Sequence, residues 1–217
     1  MTVDSSLKPE IISKISYKGT NVVVFEDVYE PAEDSFLLAD CAVSFLLEKF
    51  QDEPFSTLEV GCGSGFVSAF VQSRFPCVSL IAVDINPNAV ACACENGVHA
   101  VLSNMFDQLK NFGLPQRGYD VILFNPPYLP TSEDEKVTGW LNYAFDGGVS
   151  GRELIDKFLE SVSDYLSEDG IFLILISSLT GLEEVLFKMK TCGFEGNVIG
   201  WTKCSFEDLM VLKGSRQ

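Results

Sequence analysis

Short apolar runs alternate with amphipathic segments of helical length from residue 57 onward. This alternation is typical of a parallel sheet that helices cover on both faces, because its strands are buried on both sides. The last two segments, about 194–203 and 205–213, predict a β-hairpin that makes the sheet mixed. We therefore predict a doubly wound α/β fold with strands near 57–61, 79–84, 98–103, 119–125 and 170–177 and helices over 65–75, 87–96, 151–167 and 181–192.

The pattern is less regular before residue 57. Val22–Phe25 predicts a short strand. Glu30–Ser35 then places a proline and acidic residues ahead of an apolar pattern over 36–50, as at the start of a helix. No repeat or linker interrupts the chain, so we expect one folded domain over 33–217 with residues 1–32 packed on it.

Composition narrows the classes of function. A chain of 217 residues with 47% hydrophobic content can bury a large core. Its formal charge of −16 argues against unaided binding to nucleic acid, because such binders gain affinity from Lys and Arg. Seven cysteines without a CxxC pair indicate neither a disulfide framework nor a structural zinc site. No apolar run approaches the length of a membrane span, so we expect the protein to lie in the cytosol, with the nucleus as a possible second location.

A polar segment follows the apolar run Val121–Phe124. This segment, Asn125–Tyr128, has two prolines that stiffen it and remove backbone donors. The Asn125 side chain and the Pro126 carbonyl offer two acceptors for a planar NH2 group, on which Tyr128 can stack. Two prolines are also an ordinary end to a strand, so the segment alone names no reaction.

A glycine turn joins the first strand of the sheet to its first helix. Gly61, Gly63 and Gly65 allow a tight backbone turn and a close approach to a ligand. Their spacing is neither the dinucleotide fingerprint nor a phosphate loop, which would end in Gly-Lys. Asp84 follows 19 residues later at a strand end, where a carboxylate can accept hydrogen bonds from ribose hydroxyls. Turn and acid together predict a ribose-bearing cofactor.

The motifs Glu59–Gly65, Asp84 and Asn125–Tyr128 together resemble the class I methyltransferases that depend on S-adenosylmethionine. The last motif is similar to that of members which methylate planar amino nitrogens. The resemblance implies a Rossmann-like, mostly parallel seven-stranded sheet, with the glycine turn and its leading glutamate at the amino-acid end of the cofactor. It places Asn104 and Met105 near the adenine. Relatives often carry Asp where Asn104 stands, and an Asn carbonyl can still accept from an exocyclic amine.

Two planar nitrogens suit such a site, the adenine amine and the glutamine amide. Tyr29–Phe36 and Asp146–Glu153 resemble segments of HemK-type glutamine methyltransferases, and the resemblance extends over about 28–215. These enzymes modify the glutamine of the Gly-Gly-Gln loop in translation release factors. In them the first segment closes over the cofactor, which implies contacts from Tyr29, Pro31 and Ser35.

The resemblance also implies a partner. The chain lacks the N-terminal helical bundle of bacterial members, which points to the short eukaryotic and archaeal form. Eukaryotic members of that form work with a small zinc-binding activator subunit. In the family topology Val98–Leu102 lies at a sheet edge, where an apolar strand invites pairing. Mean hydropathy of +0.19 fits exposed apolar surface, although these side chains could simply face the core.

Other substrates remain alternatives. DNA adenine methyltransferases need a recognition region and a basic cleft, and neither is visible. The segment 126–150 is long enough to be a functional loop. Its acids Glu133–Glu135 would repel phosphate and attract a basic peptide, although three acids are also ordinary solvated surface. Lysine methylation and a non-catalytic, cofactor-binding role stay open, but the intact Asn125–Tyr128 disfavours the latter.

We expect direct in-line transfer from the sulfonium to the glutamine amide nitrogen. Asn125, which also borders the cofactor, and Pro126 hold the two N–H groups, Pro127 keeps the wall rigid and Tyr128 packs on the amide plane. Other residues receive lesser roles. We expect His99 at a sheet edge or a partner interface, and we expect no nucleophilic role for Cys62. Trp140 and Phe145 either line the substrate mouth or anchor the long loop.

Overall fold

The computed structural model describes residues 9–51, 53–109, 115, 117–131 and 139–217. Its strands are β1 (Ile11–Tyr17), β2 (Thr20–Phe25), β3 (Ser56–Val60), β4 (Ser79–Asp84), β5 (Ala100–Leu102), β6 (Tyr119–Phe124), β7 (Leu166–Ser177), β8 (Phe194–Lys203) and β9 (Asp208–Arg216). Its α-helices are α1 (Glu33–Phe50), α2 (Phe66–Gln72), α3 (Pro87–Glu95), α4 (Trp140–Phe145), α5 (Glu153–Ser161) and α6 (Leu182–Thr191). Short 3-10 turns at Val162–Asp164 and Ser178–Thr180 follow α5 and β7.

Seven strands form one sheet in the order β5-β4-β3-β6-β7-β9-β8. Strands β3 to β7 run parallel, and β9 runs antiparallel to both β7 and β8. The predicted mostly parallel sheet with a C-terminal hairpin is confirmed. The chain order reverses at β3, which lies between β4 and β6, so the carboxyl ends of these strands border one crevice.

Strand β6 shows how the sheet separates two cores. Val121 and Leu123 are fully buried among the residues of α1, α2 and α3. Ile122 and Phe124 point to the opposite face, where α5 and α6 cover them. Alternating side chains of one continuous apolar strand therefore fill both layers, as expected for a parallel sheet covered on both faces.

A hairpin of β1 and β2 precedes the sheet, and the sequence predicts only its second strand, because Ile11–Tyr17 mixes polar residues with exposed isoleucines. Lys18 and Gly19 turn it with positive φ values of 44° and 86°, as in a type I′ turn. Arg74 donates to the Lys18 carbonyl at 2.9 Å, and Asn96 exchanges two hydrogen bonds of 2.8 Å with the Val23 backbone. These bonds attach the hairpin to the ends of α2 and α3.

Several elements differ from the predicted ones. The predicted helix over 151–167 ends at Ser161, and β7 begins at Leu166 because that residue already pairs with Tyr119 of β6. The third strand of the parallel sheet is shorter than predicted, since Val98 is buried in the turn before it and His99 is exposed. Helix α4 lies inside the segment 126–150, for which the sequence predicts a loop. Among the described residues, no helix is both long and apolar enough to cross a membrane.

Candidate active site

A cavity of about 640 Å³ opens at the carboxyl ends of β3, β4 and β6. Its walls come from these strand ends, the segment before α1, helix α4 and the turn before β9. Thirteen of the fourteen predicted site residues line it, namely Tyr29, Pro31, Ser35, Glu59, Gly61, Gly63, Asp84, Asn104, Met105, Asn125, Pro126, Pro127 and Tyr128.

Gly65 is the exception, because it packs against a helix instead. Its φ of +76° suits glycine, and a Cβ placed there would lie 2.8 Å from the Cβ of Ala93 and 3.2 Å from Val98 Cγ2. The missing side chain therefore lets α2 start close to α3. Gly61 and Gly63 also have positive φ, at 65° and 54°, but they line the cavity.

Asp84 connects the glycine turn to the end of β4. One carboxylate oxygen accepts from the Gly63 N–H and the other from the Asn86 N–H, both at 2.8 Å. Burial raises the pKa of Asp84, and these backbone N–H bonds oppose the rise. A carboxylate has about four acceptor positions, so Asp84 keeps capacity for hydroxyl groups in the cavity.

Glu59 lies deeper, near the end of β3 and before the glycines. It is 2% exposed and accepts hydrogen bonds from the backbone N–H of Ser68, at 2.9 Å, and from the Ser68 hydroxyl. Burial raises its pKa to about 8. A cationic amine bound nearby would favour the charged form, so this end of the cavity suits an ammonium group.

The turn after β5 forms another part of the wall. Ser103 donates from its hydroxyl to the Met105 carbonyl at 3.0 Å and accepts from the Gln108 N–H at 3.1 Å. Met105 has a positive φ of 47°, and Asn104 beside it is exposed. This tight turn brings Asn104 and Met105 to the cavity.

Asn125 begins the segment after β6. Its Nδ2 donates to Asp34 Oδ2 at 3.0 Å, whereas its Oδ1 is buried and has no hydrogen-bond partner among the described residues. Asn125 lines the cavity, so its unmatched oxygen is an acceptor of the kind that a substrate N–H requires. Burial, with the negative charges of Asp34 and Glu207 nearby, raises the pKa of Tyr128, so its phenol stays protonated.

Sequence reasoning missed Asp34. The side chain is 4% exposed and accepts from the Tyr29 hydroxyl at 2.9 Å and from the Ser35 N–H and hydroxyl at 2.5 and 3.1 Å. The sequence marked it only as an acid in the first turn of a helix. Its position between two predicted contact residues was the one available signal.

Glu207 was also missed. It lies in the turn before β9 and lines the cavity together with Cys204. Its Oε2 is buried without a hydrogen-bond partner in the part of the chain that the structure describes. No strand-end or motif pattern marks this position, so sequence reasoning had no signal for it.

Helix α4 covers one side of the cavity. Phe145 lines the cavity, and it also packs edge-on against the Tyr29 ring, with centroids 5.5 Å apart. Trp140 lines the same wall and lies 5.5 Å from the Tyr143 ring. The acids Glu133, Asp134 and Glu135 lie outside the described residues.

Cys62 and His99 contribute less to the candidate site. Burial raises the pKa of the Cys62 thiol well above its ordinary value, so a thiolate is disfavoured. His99 is exposed just before β5 and does not line the cavity. Within the described ranges, no group of three or more His, Cys, Asp or Glu side chains could hold a metal ion.

Comparison with known proteins identifies the family. The model of the methyltransferase small domain matches residues 35–141. A protein of Methanocaldococcus jannaschii, provisionally named a protein N5-glutamine methyltransferase, is 42% identical over 202 residues, which are 93% of this chain and 98% of the relative. The chain belongs to the HemK family of S-adenosylmethionine-dependent class I methyltransferases.

Two further relatives agree with this HemK assignment. The human protein named Methyltransferase HEMK2 is 40% identical, covering 87% of this chain and 90% of its own. The solved Mtq2–Trm112 complex of E. cuniculi, described as responsible for methylation of the eRF1 translation termination factor, is 25% identical. It superposes with a TM-score of 0.68 over 88% of this chain and 99% of that one.

The cavity of this HemK-family enzyme fits S-adenosylmethionine at several points. Asp84 has spare acceptors for the ribose hydroxyls, and Glu59 can favour the ammonium of the amino-acid end. Gly61 and Gly63 line the cavity without a side chain of their own. Asn104 and Met105, which the family resemblance places near the adenine, line the same cavity.

Proposed function

We propose that this chain transfers a methyl group from S-adenosylmethionine to the side-chain amide nitrogen of a glutamine, in the Gly-Gly-Gln loop of a translation release factor. The observation that carries the proposal is the buried, unpartnered Oδ1 of Asn125, a residue that lines the cavity. The N5-glutamine name of the archaeal relative and the eRF1 described for the E. cuniculi complex support this substrate.

The chemistry needs position more than a strong base. The bound cofactor supplies a methyl group on a cationic sulfur, an electrophile that is already activated. Asn125 Oδ1 and the Pro126 carbonyl accept the two amide N–H groups, and Tyr128 packs on the amide plane. The amide nitrogen then points at the methyl carbon. The N–C bond forms as the S–C bond breaks, and the nitrogen loses its proton to water.

A labelled-cofactor assay tests the substrate. Purified enzyme is given a release factor, its Gln→Ala loop variant, histone and DNA, each with and without the activator subunit. We expect label on the release factor alone and none on the Gln→Ala variant. Label that survives this substitution would refute glutamine as the target, and transfer to DNA or histone would support the adenine or lysine alternative.

We also propose that a small, zinc-binding activator subunit pairs with the edge strand β5, giving a heterodimer. Strand β5 is the last strand on its side of the sheet, and Leu102 on it is 50% exposed. The partner of the E. cuniculi relative, Trm112, supports this proposal. Leu102→Asp should reduce co-purification by about tenfold or more, because a charge would have to be desolvated at the interface. Leu47→Asp, which changes a leucine 54% exposed on α1, is the control; equal loss in both variants would refute the β5 site.

We also propose a domain organisation and a cellular location for this protein. Residues 33–217 would fold as the methyltransferase domain, with 1–32 as an extension whose hairpin of β1 and β2 is held through Arg74 and Asn96. The heterodimer would reside in the cytoplasm, with the nucleus as a second location. Fluorescent tagging of the full chain in cells tests the location, and exclusion from the cytoplasm would contradict it.

A further inference from the structure

The side-chain amide of Asn125 can be placed in two ways. An amide has a donor end and an acceptor end of nearly the same shape, and a half-turn exchanges them. Only the orientation with Oδ1 in the cavity wall offers an acceptor to a substrate N–H. The opposite orientation would present a donor to another donor. Some neighbouring group therefore has to select the productive orientation.

Asp34 is the neighbour that can select it. An ionised carboxylate has acceptors and no donor, so it can pair with Nδ2 of Asn125 but not with Oδ1. The distance from Nδ2 to Asp34 Oδ2 is 3.0 Å. The opposite orientation would place two oxygens together in a buried position and leave Nδ2 facing the substrate.

Asp34 is itself held from two sides. Its Oδ1 accepts from the Ser35 N–H and hydroxyl, and its Oδ2 accepts from the Tyr29 hydroxyl as well as from Asn125. The carboxylate is 4% exposed, so solvent competes little for these bonds. The first turn of α1 thus reaches the substrate-binding group through one carboxylate.

We propose that Asp34 is a positioning residue, which fixes the amide of Asn125 so that Oδ1 faces the substrate N–H. The proposal rests on the proposed function only in requiring a substrate with a planar NH2 group. Tyr29 and Ser35 then act on the methyl acceptor, by orienting Asp34, in addition to lining the cavity for the cofactor.

Asp34→Asn tests the proposal without changing the shape of the side chain. The Ser35 N–H still requires an oxygen at the Oδ1 position, so the new NH2 takes the Oδ2 position and faces Nδ2 of Asn125. Two donors repel, and Asn125 turns its oxygen away from the substrate. We expect kcat to fall about 100-fold, as for loss of one group that stabilises the transition state. The Kd for S-adenosylhomocysteine, measured by calorimetry, should stay within about threefold, since the change leaves the cofactor contacts in place.

A charge exchange provides the sharper readout. Asn125→Asp alone places two carboxylates side by side and should also lose activity. In the double variant Asp34→Asn/Asn125→Asp, the new amide donates to the new carboxylate, whose second oxygen again faces the substrate. We expect the double variant to be about tenfold or more faster than either single variant. A purely structural role for Asp34 would make the two losses accumulate.

Asp40→Asn is the matched control. Asp40 lies on the same helix and accepts from Tyr17 at 2.9 Å, as Asp34 does from Tyr29, but it does not line the cavity. It should retain wild-type kcat. If Asp34→Asn does not fold, the comparison is repeated with Asp34→Ala. The double variant Asp34→Ala/Asn125→Asp should then be faster than the single variant Asn125→Asp.

Three results would overturn the proposal. They are wild-type kcat in Asp34→Asn, loss of cofactor affinity as large as the loss of kcat, and a double variant no faster than its single parents. A wild-type enzyme that labels no glutamine would instead refute the proposed function. The two failures are therefore distinguishable.

Discussion

Replacing Gly65 with alanine tests whether this glycine serves packing or the cofactor. The new Cβ would lie 2.8 Å from Ala93 Cβ and 3.0 Å from Ala93 Cα, where no real Cβ fits without movement. Its φ of +76° adds the cost of a left-handed conformation. Gly97→Ala is the control, because Gly97 has a φ of +81° and a Cβ added to it would meet no neighbouring atom within 4 Å.

The magnitudes separate the two effects. Gly97→Ala should cost about 1 kcal/mol, which is the conformational penalty alone. Gly65→Ala should cost about 2 to 4 kcal/mol, since displacement of a packed backbone adds to the same penalty. Urea unfolding of both variants measures the difference. A Gly65→Ala protein as stable as Gly97→Ala, but with weaker cofactor binding, would refute the packing role and support the cofactor contact that the sequence predicted.

Three further predictions concern the cavity. Asn125→Ala should lower kcat about 100-fold or more and leave the cofactor Kd within a few-fold, because one substrate acceptor is lost; calorimetry showing an equal loss of affinity would contradict this. The wild-type protein should lose stability relative to Glu59→Gln as pH rises from 4.5 to about 8, because its folded state keeps a proton on Glu59 that the unfolded state loses. Urea titrations across this pH range measure the difference in unfolding free energy between the two proteins. A difference that grows in favour of the wild type would contradict the prediction. Phe145→Ala should raise KM for the protein substrate about two- to tenfold through the lost contact with Tyr29, whereas Phe187→Ala, 70% exposed on α6, should not.

The strand-end residues could be predicted because parallel strands bring their carboxyl ends to one edge. Asp84 and Gly63 are 21 residues apart in sequence, yet the Gly63 nitrogen lies 2.8 Å from Asp84 Oδ2. Asn125 follows β6, which pairs directly with β3, so strand order also brings it to the same cavity as the glycine turn. The local pattern of apolar runs and turns predicted these strand ends, and the strand order that brings them together came from the family resemblance.

The remaining contacts depend on how separate elements pack. Asp34 and Asn125 are 91 residues apart, and neither strand pairing nor helical periodicity brings them together. Glu207 reaches the cavity only because β9 inserts between β7 and β8. Gly65 matched a ligand-binding motif, yet the approach of α2 to α3 determines what lies next to it. The positions of these residues are determined by tertiary packing, which sequence spacing could not predict.

The central claim is that the acceptor is the amide nitrogen of one glutamine, held by Asn125. Tandem mass spectrometry of a release factor treated with the enzyme and S-adenosylmethionine tests this most directly. We predict one added methyl group on the side-chain nitrogen of the glutamine in the Gly-Gly-Gln loop, and none when the enzyme carries Asn125→Ala. A methyl group on another residue, or unchanged methylation by Asn125→Ala, would contradict the account.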